Sequence, residues 1–254
     1  MSIFSLYLEW EKNISYFFMI YARVAVVFFF LPVFGGRILS HIVIKNMTIT
    51  LVIIGLWPCF DFSVVDAEEK TLVLCRESVT GLGLALIVCV PFWIATSIGE
   101  LIDNQRGATI SDSIDPVHGL QSSIFSSFLT FVYGVIFFQM GGVKQLVDVL
   151  AESYVLLPIG KSLSGANWRE SGVLINSLIK ESIILASPVM IVMMVSEVLL
   201  GVLSKYCPQM NPFSLSLTIK SILAFGIFFL YGMYALTHQN TDMHYISYAK
   251  YIFS

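Results

Sequence analysis

A chain of 254 residues with 57% hydrophobic and only 12% charged residues, and a mean hydropathy of +0.83, has too little polar side-chain surface to cover a soluble domain and reads as a membrane protein. The net charge of −3 comes from few, scattered groups, which excludes a polybasic nucleic-acid surface and an acidic tail, so no nucleic acid is expected as a partner. Cys59, Cys75, Cys89 and Cys207 lie far apart, with no Cys-x-x-Cys pair and no histidine at metal-ligand spacing, so they are read as plain buried thiols with no metal and no cofactor.

Residues 1–12 carry Glu9 and Glu11 in place of a basic n-region, and no small-residue cleavage site follows, so the first apolar run is read as mature protein. Apolar segments then fall at 14–34, 47–60, 78–98, 124–140, 173–203 and 213–236. They predict an all-α, multi-pass membrane protein, although a bilayer core needs about 20 helical residues and these lengths do not agree well. The segment 47–60 is short, and 173–203 is too long for one simple crossing and contains Lys180, Glu181 and Glu197. Either helices pair as hairpins within a protein assembly, or several tilt and break, with Pro58, Pro91 and Pro188 as kinks or ends. Arg37 and Lys45 in the connection 35–46 place it on the cytoplasmic side and the N-terminus outside, by the positive-inside rule.

Gly81 and Ala85 form a small-xxx-small pair that lets helix backbones approach. Charges inside apolar runs each cost about 2.5–3.5 kcal/mol at mid-membrane on insertion scales unless paired or solvated. Arg23, Glu197 and Lys220 are the intramembrane polar candidates. Glu197 has no basic neighbour in sequence and is expected to face a cation or a wet lumen. Arg76-Glu77 and Lys180-Glu181 are read as contacts to neighbouring subunits or as snorkelling groups.

The loop that follows residue 101 is the most polar interruption in the chain. Asp103 and Arg106 can pair at i,i+3 on the last turn of a helix, either as a solvated loop start or at the base of a structured loop within a pore. Gly107, Asp112, Ser113 and Asp115-Pro116 favour turns over a continued helix. Further on, Val143, Leu146, Val147, Leu150, Ala151, Tyr154 and Val155 recur at helical spacing, with Lys144, Asp148 and Glu152 opposite, and predict an amphipathic helix over 143–155. The stretch 160–172 reads as a polar loop dividing a first helical part, 1–159, from a second, 173–236, with a tail at 237–254.

Ile102-Asp-Asn-Gln-Arg-Gly-Ala-Thr-Ile-Ser-Asp-Ser-Ile-Asp-Pro116 resembles the signature loop of the SpaR/EscT/FliR family, the T-type subunit of the type III secretion export apparatus. Ala22-Arg-Val24, Phe28-Phe-Phe-Leu-Pro32, Trp57-Pro58, Pro91-Phe-Trp93, Asp148-Val-Leu150 and Ser153-Tyr154 extend the likeness. So do Ala186-Ser-Pro188, Ser196-Glu-Val198, Pro208-Gln-Met-Asn211 and Leu217-Thr-Ile-Lys-Ser221, whereas nothing after Thr237 matches. The Ser-Asp-Ser-Ile-Asp run is more similar to injectisome members than to flagellar ones.

The resemblance implies a subunit of the bacterial inner membrane that joins R-, S- and U-type subunits in a helical, pore-containing assembly for unfolded secreted polypeptides. It implies no enzyme activity, and a plug-like loop at 106–123. The gate residues carried over are Arg106, Gly107, Ala108, Thr109, Ile110, Ser111, Asp112, Ser113, Ile114, Asp115 and Pro116. A rival reading from the charges alone is a secondary transporter with a midplane polar site near Glu197 and Lys220.

Overall fold

The computed structural model of the chain describes residues 3–34, 41–60, 70–107, 123–160, 169–207, 212–232 and 234–236. Among them every regular element is helical: α1 (Ile3–Phe30), α2 (Ile42–Leu56), α3 (Lys70–Arg106), α4 (Ile124–Gln139), α5 (Gly142–Leu156), α6 (Arg169–Tyr206) and α7 (Pro212–Ile227). Short 3₁₀ turns follow α1 at Pro32–Phe34 and α2 at Trp57–Cys59, and a π-helical turn, Phe228–Gly232, follows α7. Arg37 and the tail 237–254 lie outside the described residues.

Glu9–Phe30, Lys70–Arg106, Ile175–Tyr206 and Leu215–Gly232 are each long and apolar enough to cross a membrane, and α4 with α5 makes a fifth if that broken pair is one span. This is a multi-pass helical membrane protein. The helices outrun the apolar segments read from the sequence: α3 has 37 residues and α6 has 38. At 1.5 Å per residue each is about 56 Å long, against a hydrocarbon core of about 30 Å. Pro91 and Pro188 sit inside α3 and α6 instead of ending them, whereas Pro58 belongs to the turn that closes α2.

Three expectations are corrected. Cys75 and Cys207, read as buried thiols, are exposed, while Cys89 is buried. The helix α6 begins at Arg169, inside the stretch 160–172 read as a loop, because a polar first turn is compatible with a helix even where hydropathy has ended. In α5 the buried face is Gly142, Leu146, Val149, Leu150, Ser153 and Tyr154, while Val143 and Val155 are exposed. Periodicity found the helix but misplaced its buried stripe. A buried serine counts as polar in such a pattern, although here it is an inward-facing residue with a partner. Gly141 has φ +73°, the left-handed conformation that glycine adopts freely, and it separates α4 from α5.

The described helices form two compact units. The first comprises the described parts of Met1–Val90 and Phe138–Leu174, the second those of Pro91–Phe137 and Ile175–Met243. The boundaries between these units fall within α3, α4 and α6.

In the first unit α1 packs on α2, with the Tyr21 hydroxyl donating to Asn46 Oδ1 at 3.0 Å, and on the first half of α3. The contact of α1 with α3 is made by backbone: a Cβ added at Gly81 would lie 2.5 Å from the Arg23 carbonyl oxygen. Substituting Gly81→Ala is expected to cost about 1–3 kcal/mol by forcing the helices apart. A denaturation midpoint in detergent equal to that of the parent would show that they separate freely.

In the second unit the rest of α3 runs antiparallel to α4. Phe92 stacks edge-on with Tyr133 at 4.8 Å and Phe137 at 5.2 Å, Thr96 and Thr130 hydroxyls lie 3.0 Å apart, and Gly99 meets the backbone of Ser126. The tip of this hairpin is where the polar loop emerges.

Candidate functional site

Among the described residues the buried charged side chains are Arg23, Glu77, Asp103 and Lys220, and each has an ionic partner. In an apolar chain these four groups are where energy has been spent on polarity, so the site is built from them.

Asp103 holds the tip of the α3–α4 hairpin. Its residue is 1% exposed, and one carboxylate oxygen accepts Arg106 Nε at 2.5 Å. The other oxygen accepts the Phe125 backbone N–H at 3.0 Å and the Ser123 hydroxyl. Ser123 in turn accepts the Ser126 N–H at 3.0 Å, in the manner of a helix N-cap. Two of the N–H groups that the start of α4 leaves unpaired are thus satisfied, one by Ser123 and one by a carboxylate reaching across from α3. A negative charge at a helix N-terminus is favourable with the helix dipole.

The end of α3 and the start of α4 therefore meet at one buried carboxylate. Gly107, with φ +78° and its N–H donating to the Asn104 carbonyl at 3.1 Å, ends α3 in the conformation usual for a helix-terminating glycine. Of the gate residues expected from the sequence, Arg106 and Gly107 stand at this tip. Ala108, Thr109, Ile110, Ser111, Asp112, Ser113, Ile114, Asp115 and Pro116 lie outside the described residues.

Helix α7 lies against the same tip. Lys220, 5% exposed, places Nζ 2.8 Å from Glu197 Oε2 and donates to the Gln105 carbonyl at 3.4 Å. Ser221 accepts from the Arg106 guanidinium at 3.5 Å, and the ring of Phe225 lies 5.9 Å from the guanidinium carbon and 4.8 Å from the ring of Phe125. Glu197 thus meets the cation its isolation in the sequence demands, from the next helix, while its side chain stays 56% exposed. On the neighbouring positions of α6, Met193 is fully buried and Met194 exposed, as packing residues on two sides of one helix are.

Arg23 forms a second cluster, within the first unit. Nε donates to Glu77 Oε2 at 2.7 Å, and the two terminal nitrogens donate to the carbonyls of Ser153 at 3.2 Å and Leu157 at 3.0 Å. The guanidinium carbon also lies 4.1 Å from the centre of the Tyr154 ring. The second Glu77 oxygen accepts the Gly160 N–H at 3.2 Å, and Arg76 donates to the Gly160 carbonyl at 3.1 Å. Glu77, read as a contact to a neighbouring subunit or a snorkelling group, is instead buried and paired within its own chain, whereas Arg76 is only part-buried. Glu77 and Arg23 are 54 residues apart, and no local spacing announces their pairing.

Comparison with known proteins settles the family. The description "Bacterial export proteins, family 1" matches residues 14–244, running past Thr237, where the resemblance read from the sequence stops. The chain belongs to this family. The surface presentation of antigens protein SpaR of Shigella sonnei is 39% identical to this export protein over 230 residues, covering 87% of this chain and 88% of the relative. The Yop proteins translocation protein T of Yersinia pestis is 27% identical, covering 92% of each. The flagellar biosynthetic protein FliR of Bacillus subtilis is 23% identical, covering 82% and 83%. The secretion relatives thus stand nearer than the flagellar one.

Proposed function

We propose that this export protein is a subunit of the inner-membrane export gate of a type III secretion system, where it joins R-, S- and U-type subunits around a channel for unfolded secreted polypeptides. The loop at 106–123 helps to close that channel at rest, and the chain performs no chemistry of its own. The observation that carries this reading is the tip of the α3–α4 hairpin. A polar segment leaves one apolar helix and returns to another, with both attachments tied to the buried carboxylate of Asp103. Polar backbone at membrane depth is tolerated where it is enclosed by protein or lines an aqueous path.

Exposed apolar side chains along α6, among them Ile175, Ile179, Ile183, Ile191, Val198 and Val202, support burial against lipid or partner helices. The pairing of Lys220 with Glu197 and with the Gln105 carbonyl favours a part in holding the hairpin tip over the binding of a small solute by a transporter.

Removing residues 107–113 is expected to leave the assembled complex intact but leaky to small ions in the absence of export substrate. Conductance of the assembled complex in planar bilayers measures this directly. An assembled deletion variant as tight as the parent would overturn the plug and turn the loop toward docking a neighbouring subunit.

A further inference from the structure

We infer that Lys220 is a positioning residue: from α7 it caps the C-terminal end of α3, and Glu197 on α6 holds it there, so that the α6–α7 pair sets the position of the hairpin tip. The inference deepens the gate reading and rests on it for its consequence, but its geometry stands on described residues alone.

The last four carbonyls of an α-helix have no partner within the helix, and the negative end of the helix dipole lies among them. In α3, which ends at Arg106, the Asn104 carbonyl is taken by the Gly107 N–H, and the Gln105 carbonyl accepts Lys220 Nζ at 3.4 Å. A lysine ammonium supplies both a donor and a positive charge, so it suits this position on both counts. Being nearly buried, it needs a counter-charge, and Glu197 provides one at 2.8 Å.

Two further contacts from α7 reach the same few residues. Ser221 meets Arg106, and Phe225 packs on Phe125 just beyond the Ser123 cap. Positions 221 and 225 lie one turn apart on one face of α7 and Lys220 adjoins 221, so a shift of that helix would be felt on both sides of the tip. Asp103 joins the two ends of the loop to one another, and Lys220 joins them to the rest of the unit.

The test is hydrogen–deuterium exchange of the amides at 103–107 in the purified complex, read beside assembly. Lys220→Met should raise exchange there about tenfold or more, and Lys220→Arg should leave it within about twofold of the parent. The charge swap Glu197→Lys with Lys220→Glu separates the two contacts, because it restores an ion pair but turns a carboxylate toward the Gln105 carbonyl. The swap should assemble and still exchange fast. Parent-like exchange in Lys220→Met, or in the swap, would overturn the capping role. Failure of Lys220→Met to assemble, with the swap both assembled and slow in exchange, would overturn it too and leave the pair as a brace only. The plug itself is judged separately, by the conductance of the 107–113 deletion: a leaky deletion with unchanged exchange in Lys220→Met retains the plug and discards the cap.

Discussion

Glu77→Ala should be among the most damaging single substitutions in this protein, costing about 3–5 kcal/mol in the unit that contains it, as expected when one partner of a buried ion pair is removed. Two effects combine. The Arg23 guanidinium, 1% exposed, loses the ionic partner it has among the described residues, and the buried Gly160 N–H loses its carboxylate acceptor. Replacing both members, Arg23→Met with Glu77→Met, should recover part of the loss, because no unpaired charge remains. It should not recover all of it, since the Leu157 carbonyl loses its guanidinium donor and the Gly160 N–H stays without Glu77. The comparison is made by denaturant titration of the purified protein in detergent, as a double-mutant cycle. If Glu77→Ala unfolds at the parent midpoint, or if the double variant is less stable than either single one, the cluster is not the brace its burial suggests.

Asp103→Ala is the second. Losing a hydrogen bond to a charged group costs about 1.5–3 kcal/mol and losing a helix cap about 1 kcal/mol. Here Arg106, the Ser123 hydroxyl and the Phe125 N–H lose a shared acceptor together, so a total of about 3 kcal/mol or more is expected. The loss should be local. Amide exchange in the first turn of α4 and proteolytic cutting between 107 and 123 should both rise, while the Arg23 cluster, in the other unit, stays protected. Asp103→Asn keeps one oxygen acceptor and should fall between the two. Unchanged protection at Phe125 and Ser126 in Asp103→Ala would remove Asp103 from the centre of the hairpin tip. If the tip does hold a plug, the same variant should also leak ions at rest, at an effect no larger than that of deleting residues 107–113.

Read as an isolated pair, Asp103 and Arg106 look like a rim contact worth under about 1 kcal/mol. Their burial makes them something else, and the sequence does carry a trace of it in Ser123, an N-cap residue type directly ahead of the apolar run that begins at Ile124. Glu197 shows the opposite case. Its lack of a nearby cation is visible in the sequence and rightly predicts one from elsewhere, yet nothing local distinguishes Lys220 from Lys180 as the partner. Lys180 is exposed and Lys220 buried, and only the packing of α6 with α7 makes that difference.

Composition and hydropathy alone determined that this is a helical membrane protein, because the cost of exposing backbone and charge in lipid depends on residue type and run length and hardly on the fold. The close approach at Gly81 was legible for a similar reason, since only a small residue permits it. The ends of the helices, the buried stripe of α5 and the choice of partner for each buried charge were decided by tertiary structure. Arg23 reaches Glu77 across 54 residues and Lys220 reaches Gln105 across 115, and neither distance leaves any periodicity to read. Such pairs are selected by which helices lie side by side, and a charge that local sequence marks only as expensive acquires its role from the neighbour that relieves the expense.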